Sequence, residues 1–89
     1  MLDNSGIFAF DTYFDNAGKR SYVEVFIKYN SDGTHYYYCV VDDKFEFTFA
    51  KGDDGEWVDM KVGKTDLASL IGKIIEKELS LDHRFHSHA

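Results

Sequence analysis

The sequence predicts an α+β fold: an antiparallel β-meander of about five strands with one C-terminal α-helix packed on its inner face. Two observations carry this. Five stretches rich in aromatic and β-branched residues follow one another between turns of Asp, Asn and Gly. The period then changes over residues 65–79, where Leu67, Leu70, Ile71, Ile74, Ile75 and Leu79 recur at three- and four-residue steps. That spacing draws one apolar stripe on a helix. A lone amphipathic helix needs a sheet to bury its stripe, and the sheet needs the helix.

The strands can be taken in order. Residues 7–14 alternate, with Phe8, Phe10 and Phe14 expected on one face, and Asp15-Asn16-Ala17-Gly18 turns the chain. Residues 20–29 group Val23, Val25, Ile27 and Tyr29, and Asn30-Ser31-Asp32-Gly33 is a hairpin turn. Residues 34–41 are apolar on both faces, so alternation alone does not orient them. Asp42-Asp43 follows, then 44–51 with Phe45, Phe47 and Phe49 together. After Gly52-Asp53-Asp54-Gly55, residues 56–62 group Val58, Met60 and Val62.

Turn lengths orient the ambiguous strand. A two-residue loop at Asp32-Gly33, the strong hairpin signal, sets Tyr29 opposite Tyr36, Ile27 opposite Tyr38 and Val25 opposite Val40. A two-residue loop at Asp42-Asp43 sets Val40 opposite Phe45, Tyr38 opposite Phe47 and Tyr36 opposite Phe49. A four-residue loop at 52–55 sets Phe49 opposite Val58, Phe47 opposite Met60 and Phe45 opposite Val62. Paired residues share a face, so this register gathers the apolar sets on one side. The absence of proline suits an uninterrupted ladder. In the helix, Thr65 is the expected N-cap, Asp66 suits the positive end, and Lys73 and Lys77 suit the negative end.

The 89 residues make one domain, placed at 1–80. Residues 81–89 are expected to form a flexible tail carrying His83, His86 and His88; the histidines lack a Cys pair or fixed scaffold that would make them a zinc site. Cys39 is the only cysteine, which suggests a reducing compartment or a small buried side chain. The N-terminus has no basic region and no long apolar run, and no stretch approaches the ~20 apolar residues of a membrane span. A soluble, cytoplasmic protein is expected.

Ten Lys and Arg face sixteen Asp and Glu, for a net charge of −6. Nucleic-acid binders carry a basic patch that releases counterions from phosphate; here Lys19-Arg20 is the only adjacent basic pair. No cofactor motif, nucleophile–base pair or metal set can be assembled, and an enzyme is not expected. The turn ending at Asp32-Gly33 fails the EF-hand pattern, because Lys28 stands where the first acidic ligand belongs.

Two features point outward. Five strands at ~4.8 Å spacing span about 20 Å, whereas a helix is ~10–12 Å across. The surplus apolar surface must be met by curling of the sheet, by a homodimer or another protein, or by a cavity for a small ligand. The same register places Tyr13, Tyr22, Phe26, Tyr37 and Trp57 on the outer face, as aromatic anchors for a partner. Asp32, Asp53 and Asp54 gather on hairpin tips at one end and add negative charge.

Gly18-Lys19-Arg20-Ser21-Tyr22 opening a strand, in an order of strands followed by one helix, resembles a PUR-type repeat. The resemblance covers one short motif and a common topology. It implies binding of single-stranded nucleic acid, and the acidic balance departs from what that function needs. The reading taken forward is a small acidic protein-interaction module that docks on a larger basic protein, comparable in size and charge to anti-defence or toxin-neutralising inhibitors. Single-stranded nucleic-acid binding through the strand aromatics is the first alternative. A small-ligand carrier with its pocket between sheet and helix is the second.

Overall fold

A computed structural model describes the backbone of residues 6–87 and the side chains of residues 6–80. The strands are β1 (Ile7–Asn16), β2 (Lys19–Tyr29), β3 (His35–Val41), β4 (Phe45–Lys51) and β5 (Trp57–Asp59), followed by the helix α1 (Asp66–Ser87). They form one antiparallel sheet in the order β1-β2-β3-β4-β5, with α1 packed against β4 and β5. The meander and its single helix are as the sequence predicts. The helix is longer than its apolar stripe and continues past Leu79 to Ser87. The side chains of His83, His86 and His88 lie outside the described residues.

The expected register is off by one on both sides of β3. Ile27 opposes Tyr37 and Val25 opposes Cys39, not Tyr38 and Val40. Cys39 opposes Phe47 and Tyr37 opposes Phe49. The turns are the cause. At Asn30–Thr34, the Asn30 N–H donates to the Thr34 carbonyl at 2.8 Å, and the Gly33 N–H donates to the Asn30 carbonyl at 3.1 Å. The loop is therefore three residues, Ser31-Asp32-Gly33, with Gly33 at φ +91° in the left-handed region. Asp32 Oδ1 accepts the Thr34 N–H at 3.0 Å, an Asx arrangement that favours the longer turn. The β3–β4 loop also holds three residues, Asp42 to Lys44, since Val41 opposes Phe45. Two one-residue shifts leave β2 and β4 facing as expected and turn β3 over. Tyr37, Cys39 and Val41 therefore share the inner face, and Tyr38 and Val40 share the outer one.

The same device recurs at Gly52–Glu56. Here the Gly52 N–H donates to the Glu56 carbonyl at 2.8 Å, and Asp54 Oδ1 accepts the Glu56 N–H at 3.0 Å. Lys51 thus opposes Trp57 and Phe49 opposes Asp59, which turns β5 over as well. Val58 moves to the outer face. Met60 and Val62, expected in the strand, lie exposed in a further turn closed by reciprocal 2.8 Å bonds between Asp59 and Gly63. In β1, a bulge between Phe8 and Phe10 separates residues expected on one face. Phe10 and Phe14 stay inside and Phe8 turns out, against Phe26.

The core unites Phe14, Val23, Val25, Cys39, Val41, Phe49 and Trp57 of the sheet with Ala68, Ile71 and Ile75 of the helix. Val23 and Val25 have no exposed surface, although the helix lies over β4 and β5. Phe10, Phe47 and the flanking helix side chains Leu67, Leu70 and Ile74 pack against the core that holds Val23 and Val25. The inner face over β2 is thus buried within the single chain.

Thr65 caps the helix as expected, its Oγ1 accepting the Ala68 N–H at 3.0 Å. The most buried line of α1 runs through Ala68, Ile71, Gly72 and Ile75, while Leu67, Leu70 and Ile74 flank it, half-buried. Small residues there let the helix backbone approach the sheet. A Cβ built on Gly72 would fall on the indole ring of Trp57. Gly72→Ala should accordingly lower the urea unfolding free energy by about 1–3 kcal/mol, the cost of overpacking, even though Ala is intrinsically the better helix former by ~1 kcal/mol. In a Trp57→Leu background the same change should cost far less. Additive losses in that double-mutant cycle would show that the two residues are not in contact.

Candidate functional site

The residues expected to bind a partner fall into two places. Tyr13, Tyr22 and Phe26 are on the outer face of the sheet, as expected. Tyr37 and Trp57 are not: the turned-over β3 and β5 carry them inside, where their rings meet at 5.5 Å between centroids. Asp32, Asp53 and Asp54 do lie on the turns Asn30–Thr34 and Gly52–Glu56, at the end of the sheet where Tyr37 and Trp57 sit.

Cross-strand register orders the outer face into rows. Tyr13 and Tyr22 oppose each other with ring centroids 5.0 Å apart, and the Arg20 guanidinium lies 4.6 Å from the Tyr13 ring centroid. The next row runs Asp11, Glu24, Val40, Glu46 across β1 to β4. The row after it runs Phe8, Phe26, Tyr38, Thr48. Phe8 and Phe26 meet edge to face at 5.5 Å, and Phe26 and Tyr38 are 5.9 Å apart. Three carboxylates are thus set in one line between two rows of aromatic rings. Asp11 and Glu24 are directly opposite, a like-charge pair that weakens a sheet.

The cations on this face do not neutralise that line. Arg20 lies over Tyr13, and the Lys28 ammonium lies 4.8 Å from the Tyr38 ring centroid. Among the described residues the ion pairs are Lys51–Glu76 and Lys64–Asp54, away from the row. The phenols are engaged instead. The Tyr22 hydroxyl donates to Asp11 Oδ2, and that bond, with burial and the Asp11 charge, pushes the Tyr22 hydroxyl up to about 12. Burial and then the Glu46 carboxylate raise Tyr38. Tyr38, Glu24, Glu46 and Phe8 belong to this face and were not singled out from the sequence as binding residues; the flipped β3 hid Tyr38 and the β1 bulge hid Phe8, whereas Glu24 and Glu46 face outward as expected.

The second place is a half-open groove of about 400 Å³ between the sheet end and the helix. His35, Tyr37 and Trp57 form its sheet wall, and Ile75, Leu79 and Ser80 its helix wall. Lys51 and Glu76 bridge its lip at 2.7 Å. Glu76 Oε2 also accepts the Trp57 indole N–H at 2.9 Å. These two donors, Lys51 first, hold Glu76 below the usual carboxylate range. Asp32 is lowered by its hydrogen bonds from Thr34, and Asp54 by the Glu56 N–H and then by Lys64.

Cys39 is sealed in the core, and burial pushes its thiol up to about 12, which leaves no thiolate for nucleophilic work. No group of three or more His, Cys, Asp or Glu side chains among the described residues is arranged to hold a metal ion. No helix among them is long and apolar enough to cross a membrane. Comparison with known proteins matches no family model, no curated protein and no solved structure.

Two pH effects follow with opposite signs. Asp32, Asp54 and Glu76 have folded pKa values below their unfolded values of 3.8 and 4.5. Their stabilisation is present above those values and is lost as pH falls through the lower folded ones. Acid unfolding should thus begin below about pH 4.5 and flatten in a Glu76→Gln variant. Tyr22, raised from 10.0 to about 12, contributes stability below pH 10 that is lost as pH rises toward 12. In a tyrosinate absorbance titration, one tyrosine should ionise near 12, and Asp11→Asn should return it toward 10; an unchanged titration would separate Tyr22 from Asp11.

Proposed function

We propose that this protein is a small acidic interaction module that docks its outer sheet face on a larger, basic protein. The observation that carries the reading is the line Asp11, Glu24, Glu46 between two aromatic rows. Opposed carboxylates without cationic partners weaken a sheet on its own, and a cationic partner reverses the sign of that contribution. Aromatic rings on either side supply rigid contact area at low entropy cost, and they accept guanidinium and ammonium groups on their faces. The net charge of −6 steers the encounter in the same direction. The same carboxylates weigh against nucleic acid on this face, since they would lie against phosphate.

The reading is tested by capture from the native host with the wild-type chain and with an Asp11→Asn/Glu24→Gln/Glu46→Gln variant. The variant relieves the Asp11–Glu24 repulsion and weakens the Tyr22–Asp11 bond, should stay folded by circular dichroism, and should lose a basic protein that the wild type retains. A partner held equally by both would remove the carboxylate row from the interface.

The groove favours a second reading, a carrier of a small planar ligand. Its volume falls within the usual range for such sites, and one wall is aromatic while the other is aliphatic. Trp57, the chain's single tryptophan, lies on that wall, so a ligand should change its fluorescence saturably. Leu79→Trp, which fills the groove, should abolish binding in a calorimetric titration, and retained binding would place the ligand elsewhere.

A further inference from the structure

We infer that the partner adds an extended segment to the free edge of β1, a strand whose side chains alternate between basic and apolar. This rests on the docking reading above and names its mode. The sheet has two edges, and they differ. β5 is three residues long, and Asp59 at its end is already bonded to Gly63. β1 runs for ten residues, Ile7–Asn16, and among the described residues it pairs only with β2. Long edges are normally blunted, because they present unpaired N–H and C=O groups to any passing strand. The bulge between Phe8 and Phe10 interrupts β1 near its start. Beyond it, Phe10–Asn16 stays in unbroken register with β2 for seven residues, and its outward edge is a template for one more strand.

The side chains of that edge specify the occupant. Asp11, Tyr13 and Asp15 point to the outer face, and all three are exposed. Phe10, Thr12 and Phe14 point to the inner face, where Phe10 and Thr12 are half-buried. An added strand places every second residue beside Asp11, Tyr13 and Asp15, where Lys or Arg meets two carboxylates, one of which, Asp15, opposes Arg20, the cation over the Tyr13 ring. Its other residues extend the inner face beside Phe10 and Thr12, where apolar side chains remove surface from water. A second copy of this chain is the wrong occupant. Antiparallel β1–β1 pairing sets one acidic face beside itself, and in the register centred on Tyr13 it opposes Asp11 to Asp15 twice. The edge acids thus guard against self-pairing and favour a basic strand. Such a strand continues the carboxylate row outward, so edge and face make one surface.

The test uses the full chain, isotopically labelled, at low ionic strength, with a synthetic peptide of alternating Lys and Val. A second peptide of the same sequence carries N-methyl groups at every second residue, which removes main-chain donors and keeps the charge. Amide hydrogen exchange is followed for the β1 residues whose N–H groups do not bond to β2. The expected result is at least about tenfold protection of those amides by the first peptide and none by the second. Asp11→Asn/Asp15→Asn should weaken the first peptide about tenfold, the size two cross-strand charge pairs allow. Binding that shifts Glu24, Tyr38 and Glu46 without protecting β1 overturns the edge inference and leaves the docking face standing. Equal binding of both peptides overturns it too. Binding of neither overturns the edge inference, and the docking reading is then judged by its own capture experiment. A dimer in light scattering that the double variant tightens and that protects the same amides makes a second copy the occupant, and also overturns it.

Discussion

The contact between the Trp57 indole and the backbone at Gly72 holds the two layers of this protein together. It is a constraint on both partners. Only a residue without a side chain lets the helix approach the ring this closely, and the indole fills the space beside it. The ring's polar edge is satisfied by Glu76, one helical turn beyond Gly72, and Glu76 is steadied by Lys51, the cross-strand neighbour of Trp57. Packing, hydrogen bond and ion pair therefore converge on one residue of the shortest strand. The three-residue β5 would be marginal by its ladder alone; its position is set from above by α1.

That anchoring has a consequence for how the two candidate surfaces relate. The inner face is spent on the helix and the core, while the outer face and the β1 edge carry no covering element among the described residues. The groove sits at the seam, where the helix that leans on β4 and β5 meets the sheet end at His35 and Tyr37. Surface chemistry follows the same division. Aromatic and acidic side chains alternate in rows outside, whereas the seam pairs an aromatic wall with an aliphatic one.

Much of the fold was legible in the sequence because strand and helix periods are local. The five strands, their antiparallel order, the Thr65 cap and the single helix could be read from alternation and spacing. The faces of β3 and β5 could not, and the reason lies in single residues. Asp32-Gly33 reads as a two-residue turn, yet the carboxylate of Asp32 reaches the Thr34 N–H and Gly33 takes the left-handed position, which adds one residue to the loop. At Asp54-Gly55 the same geometry replaces the expected four-residue loop 52–55 by a three-residue one, Asp53 to Gly55, between the bonded Gly52 and Glu56. Since side chains alternate with period two, each one-residue change in loop length reversed a strand. Cys39 and Val41 offered no counter-signal, because β3 is apolar on both faces. The β1 bulge hid Phe8 in the same way. Tyr22 and Phe26 were placed well because β2 alternates strongly and needed no turn to orient it, and Tyr13 because β1 keeps unbroken register with β2 beyond its bulge. Tyr37 and Trp57 were misplaced with their strands.

Cys39 closes the account in terms of redox chemistry. A thiol with no exposed surface, raised to about 12 by burial alone, has essentially no thiolate at neutral pH and no path to an oxidant or a second thiol. Thiol exchange, glutathionylation and sulfenic-acid formation all begin at the thiolate, so the folded chain is inert to each. An unpaired cysteine is usually taken as a sign of a reducing compartment, but that inference assumes a thiol that can react. Here the sheet has removed the assumption: the same flip that carried Cys39 inward withdrew the thiol from exchange with its surroundings for as long as the chain stays folded.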